Sequence, residues 1–200
     1  MPVLTSRMNP KDFKASFLSC EKDLETIIKK LFVQSKPYSD ILKRLLIIDK
    51  PDCLDPEQNQ YQAIINDYSI HDLKDKDYIL TIPRVENLIH EVPQTVILIE
   101  FKNFSPDATN IYYRDCIISF TIVCPFCTWE LDDYKMRPYQ IAGYIDGILN
   151  NSKLSGIGTL QFEGASMTPL DEEYGALVVR YLATHGIDDK NSFENTWPLE

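Results

Sequence analysis

Three short constellations in this chain carry residue types that can do chemistry. Glu100-Phe101-Lys102 sets an acid and a lysine two apart in the apolar stretch 96–104. The period of two in a strand puts both side chains on one face. On such a strand a carboxylate can hold Mg²⁺ while the lysine orients a water, the arrangement of restriction-type nucleases. That chemistry needs a second, upstream carboxylate, for which Asp67 and Asp72 stand only by default. A strand with one solvated face produces the same alternation. Cys124-Pro125-Phe126-Cys127 has the spacing of thioredoxin-like redox sites and of half a zinc ribbon. Zinc would need two further ligands at similar spacing, and His71, His90 and His185 each stand apart from the cysteines and from one another. A redox site would need a helix starting at the motif to lower a thiol pKa. Residues 128–133 read instead as a polar connection, so two small residues at a strand end is the simpler reading. His71-Asp72 lacks a nearby nucleophile and reads as a surface pair.

The elements that must position these residues are clearest in the second half. Ile97, Ile99 and Phe101 share one face of a strand over 96–104. Ile118, Phe120 and Ile122 do the same over 110–124, with Ser119 and Thr121 facing out. Residues 105–110 have hairpin-loop composition. Arg137-Pro138 opens a helix with proline in its first turn, Ile141, Ala142, Ile145, Ile148 and Leu149 form its buried stripe, and Asn150-Asn151 ends it. A strand follows through Leu160 and Phe162, and a last one over 175–183 carries Leu177, Val179 and Tyr181 on one face. Upstream, Leu24, Ile27, Ile28 and Leu31 fall at helical spacing, and Lys36-Pro37 stops that helix. Ser39 offers an N-cap for a second helix carrying Ile41, Leu42, Leu45 and Leu46. Residues 58–91 read as a long, polar, partly extended excursion. The expected fold is α+β: a mainly antiparallel β-sheet with one packed helix, preceded by N-terminal helices and that extended arm. The expected divisions are 1–50 helical, 51–91 arm, 92–190 core and 191–200 tail.

Composition narrows the function classes. Two hundred residues with 44% hydrophobic and 25% charged content suit one sizeable core. No apolar run approaches the roughly 20 residues of a membrane span, and residues 1–9 lack the apolar centre of a signal peptide. An odd cysteine count of 5 suits reduced thiols in a cytosolic setting. A net charge of −10 disfavours sequence-independent binding to phosphate backbones. There is no phosphate-cradling glycine loop, since Gly156-Ile157-Gly158 lacks the third glycine and the following helix, and no Gly-x-Ser-x-Gly elbow. Neither catalysis nor a cofactor nor a metal is expected.

Taken as a unit, the second half has a pattern. It runs strand, Trp129 with acidic residues, Arg137-Pro138-Tyr139-Gln140-Ile141-Ala142, Ile145-Asp146 and Leu149-Asn150. It continues through Leu154-Ser155-Gly156-Ile157-Gly158-Thr159-Leu160-Gln161-Phe162 to Tyr174-Gly175 and Arg180-Tyr181. Over residues 92–185 this resembles the neck and tail-completion (tail-terminator) proteins of tailed bacteriophages, with residues 51–91 outside the shared core. The resemblance implies a virion structural protein, made in the host cytoplasm, that forms a homo-oligomeric ring. Its implied partners are a portal or adaptor protein on one side and tail or neck proteins on the other, with DNA passing through the lumen without specific binding and no membrane contact. An acidic chain suits such a passage. The interface residues expected on this reading are Val96, Leu98, Glu100 and Lys102 on the first strand, Asp107 and Asn110 in the loop after it, and Tyr61, Tyr68 and Tyr78 in the excursion. The alternative is a metal-dependent nuclease using Glu100 and Lys102.

Overall fold

The computed structural model describes residues 20–81, 93–106, 114–154 and 157–185. The chain opens with α1 (Cys20–Lys29), which runs on into a π-helical turn (Lys30–Gln34) and stops ahead of Pro37. Helix α2 (Tyr38–Ile47) follows. Ser39 is not its N-cap: Ser39 lies inside the helix, fully buried, and its Oγ accepts from the Ser35 N–H at 3.1 Å. Ile27, Ile28, Leu31 and Phe32 interlock with Leu42, Leu45 and Leu46, so both helices bury their apolar stripes in one core.

Residues 58–81 depart from the extended arm expected of them. They form α3 (Asn59–Asn66), α4 (Ile70–Asp75) and the short strand β1 (Ile79–Leu80). The physical reason is local. Tyr61 and Ile65 sit one turn apart and are both buried, which suffices for a two-turn helix. Ser69 and Asp72 close a capping box at the start of α4, and Leu73 anchors it in the core. The part of the expected arm at 82–91 lies outside the described residues.

The second half follows its periodicity. Strands β2 (Val96–Pro106), β3 (Arg114–Pro125), β6 (Gln161–Pro169) and β7 (Tyr174–His185) join β1 in a sheet of order β1-β2-β3-β7-β6. Every pairing is antiparallel except the short parallel contact of β1 with β2. Between β3 and β6 come a 3₁₀ turn (Phe126–Thr128), α5 (Arg137–Leu149), β4 (Lys153–Leu154) and β5 (Gly158–Thr159), the last two forming a separate pair. Cys116, Ile118, Phe120 and Ile122 of β3 and Leu177, Val179 and Tyr181 of β7 all point to one face. There they meet Ile141, Ile145 and Leu149 of α5 and the helices before β1. Each fully buried aliphatic side chain contributes about 1.5–3 kcal/mol by leaving water. A smaller cluster, Leu80, Val96, Leu98, Val123, Tyr174 and Ala176, forms on the opposite face. The fold is thus the α+β class read from the sequence, with more helix than expected.

Candidate functional site: the sheet edges and the joint beneath them

The sheet ends in two unlike edges. β6 forms one, and nearly all its side chains are exposed. Register with β7 puts Phe162, Ala165 and Met167 on the helix side and Gly164, Ser166 and Thr168 on the other. Phe162 and Met167 are 49% and 54% exposed, and Tyr139 of α5 sits 3.9 Å from the Met167 sulfur. β2 forms the other edge, and β1 covers it only at Ile97 and Leu98. From Ile99 onward β2 has no outer neighbour among the described residues. Each edge carries a bulge, between Lys102 and Ser105 in β2 and between Phe162 and Gly164 in β6. Asn103, with φ of 54°, takes the left-handed conformation in the first, a role asparagine tolerates better than most residues.

The interface residues expected from the sequence fall in different places. Val96 and Leu98 are buried, held in the small cluster with Leu80 and Val123, so they are not free edge side chains. Glu100 and Lys102 do share a face, as the strand period requires, and form an ion pair at 2.6 Å. Asp107 and Asn110 lie outside the described residues. Tyr61 is buried, and its hydroxyl donates to Asp52 at 2.7 Å. Tyr68 and Tyr78 pack edge to face at 6.0 Å, with the Lys76 ammonium 4.1 Å from the Tyr68 ring. All three tyrosines therefore serve the chain's own packing.

The catalytic alternatives find little support in their surroundings. Across the sheet from Glu100 stand Ser119 and then Arg180, and neither supplies a second carboxylate. Asp72, one of the two default partners, is bound to Ser69 in the capping box, and His71 is exposed and pairs with Asp75 at 3.2 Å. Among the described residues no group of three His, Cys, Asp or Glu side chains gathers as a metal site. Cys124 is buried at the end of β3, where burial pushes its thiol up to about 12. That is opposite to what a reactive thiolate requires. Cys127 is exposed on the 3₁₀ turn, and no α-helix begins at the motif.

Arg137 was the residue whose role the sequence hid. The side chain is 1% exposed and holds backbone carbonyls. Its Nη1 donates to Leu45 O at 2.6 Å and to Ile48 O at 2.7 Å, Nη2 to Lys50 O at 3.1 Å and Nε to Thr128 O at 2.8 Å. The first three acceptors lie at or just past the end of α2, where carbonyls lack intrahelical partners and the helix dipole is negative. One guanidinium thus joins the helical layer to the start of α5. Nearby, the Trp129 ring lies over Gly175 of β7: a Cβ there would meet indole carbons at 2.7 and 2.9 Å and the Phe126 ring at 2.9 Å. Only glycine admits that approach.

A cleft of about 380 Å³ between α2, α3 and α5 is lined by Asp40, Arg44, Gln62, Lys135, Gln140 and Tyr144. Arg44 within it is already engaged, donating to Asp55 O and to Gln62 Oε1, each at 3.1 Å. No helix among the described residues is long and apolar enough to cross a membrane. Among curated proteins, none matches this chain. The YomW family model matches residues 39–183, from the first turn of α2 to the end region of β7, and so takes in the 51–91 segment, which the phage neck-protein resemblance does not cover. Covering more than half of the chain, the match shows that this protein belongs to the YomW family, a phage-derived family of the SPbeta/Bacillus prophage type.

Proposed function

We propose that this phage protein is a structural component of the virion that closes into a homo-oligomeric ring in the neck or tail-terminator region, joining portal or adaptor to tail while DNA passes. The observation that carries this reading is the pair of unlike edges, both open among the described residues. Strand direction alternates from β2 through β3 and β7 to β6, so β2 and β6 run opposite ways. A copy placed head-to-tail beside the first therefore sets β6 against the next β2 in antiparallel fashion, continuing the sheet in its own pattern. The faces agree as well. Ala165 and Met167 of β6 and Ile99 and Phe101 of β2 all lie on the helix side, while Ser166 and Thr168 meet Glu100 and Lys102 on the other. Head-to-tail contacts of this kind close into rings when the rotation permits, which removes both edges from solvent.

The test is quantitative mass spectrometry of purified virions of the encoding phage, scaled to the portal protein. The expected result is a stoichiometric presence at half, equal or double the portal's abundance. Substituting Ala165→Lys and Met167→Lys, both exposed, puts charge on the apolar side of the edge and should leave a folded chain that no longer enters particles. Absence of the unmodified chain from virions overturns the proposal.

A further inference from the structure

At the end of the sheet where β3 and β6 finish and β7 begins, the connections that follow β3 and precede β7 hold several large apolar side chains out in solvent. Residues 130–136 fold back as a tight hairpin: Glu130 bridges Met136, and the Leu131 N–H donates to Lys135 O at 2.8 Å. Its two central residues, Asp133 and Tyr134, both have positive φ, 59° and 58°, the signature of a type I′ turn. The turn thrusts Tyr134 wholly into solvent, with Met136 beside it 44% exposed. Phe126, at the base of the same connection, is 43% exposed, and its N–H donates to Glu173 O at 2.8 Å, tying this region to the β6–β7 turn. On that turn Leu170 is 49% exposed. Large apolar side chains so placed, on short turns anchored to a rigid sheet, are of the type that dominates protein interfaces.

The same two connections are rich in acid. Glu130, Asp132, Asp133, Asp171, Glu172 and Glu173 are all exposed. Lys135, the basic residue on the same hairpin, is already paired with Asp133 at 3.2 Å. A second copy docking through this same surface would bring a like-charged rim against this one, and nucleic acid would bring phosphates. We propose that this end of the sheet docks a different protein through a Lys/Arg-rich surface that offers Tyr134 and Met136 an apolar recess. The docking extends the ring reading above but uses neither sheet edge.

The test places a photo-crosslinking amino acid at position 134 of the full chain in cells producing the phage, with a control at Lys153. That residue is exposed on β4, whose partner β5 lies beside the far end of β7. The expected result is an adduct from position 134, not from position 153, to a second phage-encoded protein, with the crosslinked peptide rich in Lys and Arg. Its yield should fall several-fold in the Asp132→Asn, Asp133→Asn, Glu172→Gln, Glu173→Gln variant. Adducts only to further copies of this chain, only to nucleic acid, or an adduct indifferent to the four neutralised acids would each overturn the docking proposal. The edge variants at Ala165 and Met167, assayed in the same cells, report on ring formation separately.

Discussion

Arg137 and Lys102 are both cations beside the sheet, and the fold treats them in opposite ways. Arg137 is sealed from water and divides its donors among four carbonyls drawn from the end of α2, the segment after it and the 3₁₀ turn. Lys102 stands on the open face with a side chain 44% exposed, paired to a Glu100 that belongs to the same strand. One contact joins parts of the chain nearly ninety residues apart, while the other joins neighbours that the strand already places together. The difference teaches where charge is structural here: in the joint between layers, and not on the face that first invited a catalytic reading.

The sharpest way to break this comparison is Arg137→Met, which keeps most of the volume and leaves two buried and two part-buried carbonyls without their donor. The expected loss is about 3–5 kcal/mol, or failure to fold at 37 °C. Arg137→Lys, which keeps the charge but not the fork, should fall between that variant and the wild type in urea melts. A methionine variant within about 1 kcal/mol of wild type would show that the clamp is dispensable. Gly175→Ala tests the packing next to that joint and should cost about 1–3 kcal/mol, since the added methyl must displace an indole. The penalty should shrink when Trp129 is first replaced by Ala, a coupling that a double-mutant cycle reads directly. At the small end, Lys102→Ala should change stability by no more than about 1 kcal/mol, because both groups remain in contact with water. A loss well beyond that would mean the pair does more than decorate a solvated face.

Much of the second half was legible before any coordinates, because long strands with one buried face write their period into the sequence. The alternation around Ile118, Phe120 and Ile122 and the proline-opened helix at Arg137 are of this kind. Helices α3 and α4 leave no period in the sequence, because each buries only one or two side chains. Yet Ser69 and Asp72 carried a capping signature that could have announced α4. The clamp at Arg137 left no such trace: its acceptors are main-chain oxygens, which every residue possesses, so no spacing of residue types points to them. The same holds for the burial of Val96 and Leu98, which depends on Leu80 arriving from β1. An edge strand and a covered strand look alike until the covering segment is placed.

The two bulges have a consequence for assembly in time. An uninterrupted edge offers a long ladder, so that any chance encounter of two copies is held and growth can run on into open filaments. Here the breaks at Asn103 and Glu163 leave only short unbroken stretches on each side. In the proposed ring, a single junction of that length would bind weakly and let go quickly. The proposed ring, in which each copy gains two junctions at once, would then be favoured over a dimer or a short arc far more than one junction alone would suggest. On the ring reading proposed above, such a chain would stay dispersed while it accumulates and close where many copies are gathered together.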